Sequence, residues 1–174
     1  MAKRIFDILF SIIGLIFFSP CFLLVSILIK IDSKGPVFFL QERVGRNGVL
    51  FKIIKFRSMI TDQNYNSTIT TVNDNRITTI GKIIRKLKID ELPELLNILI
   101  GNMSFVGPRP DVPGYADLLE GEDRLILKLK PGITSLASLK YVNEEAILAS
   151  VDDPMSYNKE VIFPDKVKLN LNYY

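Results

Sequence analysis

Ile8 to Ile29 is a run of 22 residues without a charge, interrupted among its apolar letters only by Ser11, Gly14, Ser19, Pro20 and Ser26. A helix of about 20 apolar residues covers a hydrocarbon core roughly 30 Å thick, so a membrane-inserted segment is the first expectation. The run is longer than the apolar core of a signal peptide, and no small-x-small cleavage site follows Ile29, so the segment is expected to stay in the mature chain. Lys3 and Arg4 precede the run while Lys30 and Lys34 follow it. Positive flanks tend to remain cytoplasmic, so both ends read as cytoplasmic. Pro20 lacks an N–H and clashes with the carbonyl four residues earlier, and a helix broken at Ser19-Pro20 can therefore enter and return through one leaflet. The Ser19 hydroxyl would satisfy part of the freed backbone. On charge counting alone, a proline-kinked span with its far end outside stays open beside this re-entrant form.

The chain has 174 residues, a size that favours a single domain, 1–174, divided here into a membrane part (1–33) and a cytosolic and interfacial part (34–174). A hydrophobic fraction of 48% with 24% charged residues excludes broad disorder. There is no histidine and one cysteine, Cys21. That removes Ser-His and Cys-His nucleophile systems, histidine-dependent zinc sites and an intramolecular disulfide, leaving carboxylates to carry any acid, base or metal chemistry. The net charge of +3 hides an asymmetry: residues 34–88 hold 11 Lys/Arg against 3 Asp/Glu, whereas 89–174 hold 8 against 14. A basic stretch beside a lipid anchor suits anionic headgroups or phosphorylated ligands; nucleic acid is not expected as a partner.

The fold class is expected to be α+β and mostly helical. Pro36–Leu40 and Leu50–Phe56 are β-branched and aromatic runs separated by Gly45-Arg46-Asn47-Gly48, a β-hairpin pattern. Residues 61–76 form a polar loop. From Thr79 to Lys88, Ile80, Ile83, Ile84 and Leu87 follow helical spacing with Lys82, Arg85, Lys86 and Lys88 between them, giving a basic amphipathic helix suited to a membrane interface. Asp90-Glu91-Leu92-Pro93-Glu94 opens a short helix that stops at Gly101-Asn102. Gly107-Pro108-Arg109-Pro110 is a stiff extended loop displaying Arg109. A helix over 113–128, a turn at Pro131-Gly132 and a helix opening at Glu144-Glu145 complete the expected elements.

Adjacent Asp90 and Glu91 are the strongest chemical candidates. Carboxylates at a helix start commonly cap free N–H groups. In the catalytic alternative an ionised Asp attacks phosphorus while its neighbour holds Mg²⁺. Phosphoryl transfer also needs cations around the phosphates, and Lys55, Arg57, Arg85 and Arg109 are candidates. Taken singly, each is a surface charge, with Lys55 on the wet side of a strand and Arg109 bonded to a nearby carbonyl. Their company with a membrane anchor favours a phosphate site.

The residues Lys3-Arg4-Ile5-Phe6-Asp7, Ser19-Pro20, Gln41-Glu42-Arg43-Val44-Gly45, Lys55-Phe56-Arg57-Ser58-Met59, Ile84-Arg85, Asp90-Glu91-Leu92-Pro93, Asn97, Met103–Pro110 and Pro131-Gly132-Ile133-Thr134 resemble, in order and over nearly the whole chain, the small monotopic phosphoglycosyl transferases, bacterial sugar transferases acting on polyprenyl phosphate. The resemblance implies transfer of a sugar 1-phosphate from a UDP-sugar to undecaprenyl phosphate, release of UMP, and the start of a polysaccharide, lipopolysaccharide or glycoprotein glycan. It implies Mg²⁺ as cofactor, Asp90 as nucleophile, and Glu91 with Asp90 at the metal. It further implies phosphate contacts from Lys55, Arg85 and Arg109, and a re-entrant break at Ser19-Pro20. The expected setting is the bacterial inner membrane with the catalytic part on its cytoplasmic face. Membrane lipids, glycan-pathway glycosyltransferases and a second copy of the chain are the expected partners.

Three positions depart from the family pattern. Ser135 and Ser138 stand where many members continue with Gly-x-Ala-Gln, and Asn170 stands where an Asp commonly precedes a Tyr. The family's usual final apolar helix would fall beyond Tyr174. The non-enzymatic alternative is a membrane-anchored basic module that binds anionic lipid or scaffolds an assembly, with Asp90-Glu91 only a cap. The sequence leaves the sugar unspecified.

Overall fold

A computed structural model of the chain describes residues 2–60 and 74–174; most of the polar loop expected at 61–76 lies outside the described residues. Helices α1 (Ala2–Phe17) and α2 (Ser19–Asp32) open the chain, followed by strands β1 (Phe38–Val44) and β2 (Leu50–Phe56). Helix α3 (Thr79–Lys86), a 3₁₀ turn at Ile89–Glu91 and helix α4 (Glu94–Ile100) come next. Strands β3 (Ser104–Val106) and β4 (Gly132–Thr134) then pair in parallel. Helices α5 (Leu136–Lys140), α6 (Glu144–Ala149), α7 (Pro154–Tyr157) and α8 (Phe163–Leu171) end the chain, with a π-helical segment, Asn158–Ile162, joining the last two.

The break at Ser19-Pro20 is present. α1 and α2 meet at 59°, and no single helix among the described residues is long and apolar enough to cross a membrane. Ser19 Oγ donates to Ile16 O at 2.8 Å, compensating one carbonyl at the break. The two helices are inverted relative to a soluble core: α1 buries Asp7 and Ser11, while Ile16, Phe17, Leu23 and Ile31 are 66–77% exposed. Ser11 Oγ donates within the helix to Ile8 O at 3.0 Å, while Asp7 and the nearby Arg4 attach α1 to the rest of the fold. Asp7 Oδ1 accepts from Ser104 Oγ at 3.0 Å and Phe105 N at 3.2 Å. Arg4 donates to Ile98 O and Leu99 O at 2.6 and 2.7 Å, capping the carbonyl end of α4.

The hairpin is antiparallel with Phe39 opposite Lys55 and Glu42 opposite Lys52. It feeds all three apolar clusters: Val44 packs with Ile126, Leu127 and Val167; Ile53 with Leu95, Ile98 and Met103; and Phe56 with Val25, Ile29 and Ile84. Asn97, fully buried on α4, donates to Lys52 O at 2.8 Å and accepts from Ile54 N at 2.9 Å. This pairs α4 with the open edge of β2.

Three expectations are corrected. The helix over 113–128 is instead two 3₁₀ turns, Ala116–Leu118 and Asp123–Lys128. Asp117 Oδ1 accepts from Gly114 N and Tyr115 N, a local bond that competes with helix, and Gly121 sits at φ 55° between the turns. The Pro131-Gly132 turn is the entry to β4, where Gly132 N donates to Pro108 O; a Cβ on Gly132 would lie 2.3 Å from Gly107 N, so this close approach needs glycine. Arg57 is no phosphate ligand: it is 3% exposed and its guanidinium donates to Ser33 O at 2.7 Å and to Lys34 O, closing the end of α2. Replacing Arg57 with Met leaves these carbonyls unmet in a buried place, and a loss of about 2–3 kcal/mol is expected in thermal or denaturant unfolding of the detergent-solubilised protein. Arg57→Lys, lacking the fork, recovers only part of it.

Candidate active site

Lys88, two residues past the end of α3, is in the left-handed region (φ 56°, ψ 21°), and the 3₁₀ turn that follows it carries Asp90 and Glu91 against β2 and the Arg109 loop. The acidic pair therefore lies one turn ahead of α4, whose first residue is Glu94. Asn97 sets the height of α4 against β2, which brings Lys55 over this turn. The Arg109 loop is held from both sides, by Val44 N donating to Asp111 O and by the Gly107–Gly132 contact between β3 and β4.

Lys55, Glu91 and Arg109 converge in one cluster beside Asp90, and the Arg85 charge acts on Asp90. Lys55 Nζ lies 2.9 Å from Glu91 Oε1 and 3.3 Å from Glu94 Oε1, so the strand lysine faces carboxylates rather than water. Arg109 forks onto the same Glu91 carboxylate, with Nη1 3.3 Å from Oε2 and Nη2 on Oε1. Burial alone would raise the Glu91 pKa, but Arg109 and Lys55 outweigh it and hold the carboxyl well below the ordinary carboxylate range. Asp90 is 6% exposed and its Oδ1 has no hydrogen-bond partner among the described residues. Burial pushes its pKa up, against the pull of Lys55, Arg85 and Lys88. The adjacent carboxylates thus differ: Glu91 is firmly ionised and paired, Asp90 more basic and unpaired.

Glu94 was not singled out as a site residue. It is 1% exposed and burial raises its pKa, against Lys55. The available signal was its spacing four residues after Asp90, which puts both on one side of a helical turn. Arg43 and Asp111 also border the cluster without a signal in the sequence pattern. Arg43 donates to Gln41 Oε1 at 2.6 Å and to Pro110 O at 3.3 Å, bracing the Arg109 loop.

A groove of about 460 Å³ opens beside Glu91, walled by Phe10, Ile13, Phe17 and Phe18 of the N-terminal helices and by Leu95 and Phe105. The Ser19-Pro20 break thus adjoins the groove rather than the cluster. Ser135 and Ser138 serve local structure: Ser138 N donates to Ser135 Oγ at 3.1 Å, capping α5, while Asn170 is buried in α8.

Among the described residues no three acidic, cysteine or histidine side chains converge as a metal cage. The donors suit a cation that arrives with phosphate, because Mg²⁺ is usually held by one or two carboxylates with substrate oxygens and water completing its shell. The buried, unpartnered Oδ1 of Asp90 is a hard oxygen of that kind. Glu91 would have to release Lys55 or Arg109 to contribute.

The sequence matches the bacterial sugar transferase family over residues 1–174. The chain belongs to the bacterial sugar transferases. Within the family it is similar to the exopolysaccharide production protein ExoY of Rhizobium meliloti, with 39% identity over 160 residues covering 83% of this chain and 71% of ExoY. It is also 44% identical over 142 residues to the UDP-glucose:undecaprenyl-phosphate glucose-1-phosphate transferase of Klebsiella pneumoniae, covering 79% of this chain and 30% of that protein. Its identity to the UDP-N-acetylgalactosamine-undecaprenyl-phosphate N-acetylgalactosaminephosphotransferase of Aeromonas hydrophila is 42% over 141 residues, covering 79% of this chain and 33% of that protein. The chain therefore spans about a third of the two larger relatives. For a bacterial sugar transferase, a cluster of two differently tuned carboxylates under paired cations is chemically apt.

Asp111, beside Arg109, supplies a pH test of this loop. Burial, opposed by Lys166 and Arg43, pushes its pKa to about 6 from 3.8. A raised pKa favours the fold while the group is protonated, so this contribution is full below about pH 4 and is lost as pH rises through about 6. Asp111→Asn, which stays neutral, is expected to gain several degrees of melting temperature relative to the native chain between pH 4 and pH 7. A constant difference across that range would refute the assignment.

Proposed function

We propose that this bacterial sugar transferase moves a sugar 1-phosphate from a UDP-sugar to undecaprenyl phosphate through a covalent intermediate on Asp90. The observation that carries the reading is the Asp90–Glu91 turn under Lys55 and Arg109, set at the end of an apolar groove walled by the N-terminal helices. The names of the Klebsiella and Aeromonas relatives supply the donor and acceptor class.

In the first step an Asp90 carboxylate oxygen attacks the β-phosphorus, an O–P bond forms, and the bond from that phosphorus to the oxygen bridging to the α-phosphate breaks, releasing UMP. Partial burial raises the basicity of Asp90, while Lys55, Arg85 and Lys88 favour its ionised form. Lys55 and Arg109 turn from Glu91 toward the donor phosphates, stabilising charge where it develops. Mg²⁺, bound by Asp90 or Glu91 with the diphosphate, would supply further charge neutralisation. In the second step an oxygen of the lipid phosphate attacks the phosphorus on Asp90, the Asp90 O–P bond breaks, and a lipid diphosphate sugar leaves. The product is the first lipid-linked unit of a glycan, in keeping with the exopolysaccharide role in the name of the ExoY relative.

The exposed apolar shell of α1 and α2 sits in one leaflet of the cytoplasmic membrane as a re-entrant pair, and α3 lies at the interface with Ile83 and Leu87 exposed beside its lysines. The buried Asp7 and Ser11 face protein rather than lipid, as polar groups at membrane depth must. Phosphates of donor and acceptor then meet at the cytoplasmic surface.

Two experiments test this reading. In lipid nanodiscs with Mg²⁺ and undecaprenyl phosphate, a panel including UDP-glucose and UDP-N-acetylgalactosamine is expected to give UMP release with at least one donor, and Asp90→Asn to reduce it at least about a thousandfold. Retention of near-native release by Asp90→Asn would rule out the nucleophile. Single cysteines at Ala2 and Lys34, in a Cys21→Ser background, are expected to label from the same, cytoplasmic side. Labelling from opposite sides would replace the re-entrant pair with a kinked span.

A further inference from the structure

The groove beside the acidic turn has two charged lining residues, Glu91 and Lys88, against a wall of phenylalanine, isoleucine and leucine. Glu91 is saturated by Lys55 and Arg109. Lys88 has no hydrogen-bond or ion-pair partner among the described residues and is exposed, two positions before Asp90. Its backbone is unusual for a residue other than glycine, a conformation shared among the described residues only by Asn47. Lys88 follows the last turn of α3, its N–H closing onto Arg85 O at 3.0 Å, in the left-handed conformation that helix ends ordinarily give to glycine. Any L side chain there carries a conformational cost, and among the described residues no hydrogen bond or ion pair of the lysine offsets it. A lysine at a position that favours glycine, without a partner, at the rim of an apolar groove, asks for a ligand that is both anionic and oily.

We infer that Lys88 docks the phosphate of a long-chain isoprenoid phosphate whose hydrocarbon follows the groove along α1. The inference rests on the transferase reading for the acceptor's identity and adds the residue that brings its headgroup to Asp90. Lys88 and Glu91 both line the groove, but Lys55 and Arg109 are engaged on the Glu91 carboxylate and are not among the groove's lining residues, which leaves Lys88 as the cation in its wall. Donor and acceptor phosphates would then be held by different cations. That separation suits a nucleophile that must be approached twice, first by the donor phosphorus and then, as the Asp90 O–P bond breaks, by the acceptor oxygen. A nucleotide sugar carries no hydrocarbon to fill the groove, which is why the acceptor is assigned to it.

The test uses the full chain in phosphatidylcholine nanodiscs and measures binding of radiolabelled undecaprenyl phosphate without donor, then steady-state kinetics with whichever of UDP-glucose and UDP-N-acetylgalactosamine is turned over. Lys88→Gly suits the backbone, so its melting temperature is expected to equal or exceed the native one. Its affinity for undecaprenyl phosphate is expected to fall about tenfold or more, with the acceptor KM rising in parallel and the donor KM within about twofold of native. Lys88→Arg is expected to restore most of the affinity. Lipid binding by Lys88→Gly within about twofold of native overturns the inference, as does a defect confined to the donor KM, which would make Lys88 a diphosphate ligand. Lys88-dependent lipid binding by a native chain that releases no UMP would uphold the docking site and overturn the transferase reading instead.

Discussion

The two hydrogen bonds of one buried amide set the geometry on which the rest depends. Asn97 both donates to Lys52 O and accepts from Ile54 N, so it satisfies an edge-strand carbonyl and an edge-strand N–H at once and leaves α4 one register on β2. A buried edge with unpaired backbone groups would be costly, and any slide of α4 would restore that cost. Because Glu91 and Glu94 sit immediately before and at the start of α4, while Lys55 follows Ile54 on the strand, this register fixes the distances among the charged groups.

A second constraint is the inverted polarity of the N-terminal helices. Arg4, Asp7 and Ser11 point toward protein, and the first two are bonded to α4 and β3. The exposed apolar N-terminal helices are thus attached by charge-assisted bonds to the helix that follows the acidic turn and to β3. Gly14 lets α1 lie against Leu95, with an added Cβ only 3.1 Å from its Cδ1, and the groove forms just beside that contact. The exposed apolar helices and the acidic turn are in this way adjacent walls of one cleft.

Periodic or chemically strict patterns were legible in the sequence. The hairpin, α3, the short α4 with its glycine stop, the break at Ser19-Pro20 and the Asp90-Glu91 pair were all readable. Patterns whose outcome turns on a local competition were not. Residues 113–128 have helical composition, yet the Asp117 carboxylate captures backbone N–H groups that a helix would need. Arg57 and Lys55 share a basic motif and look interchangeable as phosphate ligands, but one cation closes α2 and the other faces Glu91 and Glu94. Glu94 stands in the acidic motif, and its burial and its approach to Lys55 mark it as part of the charged cluster.

By itself, then, the order of residues determined that this chain has an oily, proline-broken start, a basic segment after it, and carboxylates to carry any acid, base or metal chemistry. Those follow from covalent identity: proline has no N–H, and a chain without histidine must use other titrating groups. Only the tertiary structure decided which cations meet which carboxylates, which carboxylate stays unpaired, and which lysine faces the apolar groove. Charge pairing and desolvation act over a few ångströms between residues dozens of positions apart, so they exist only once α4 has settled on β2 and α1 on α4.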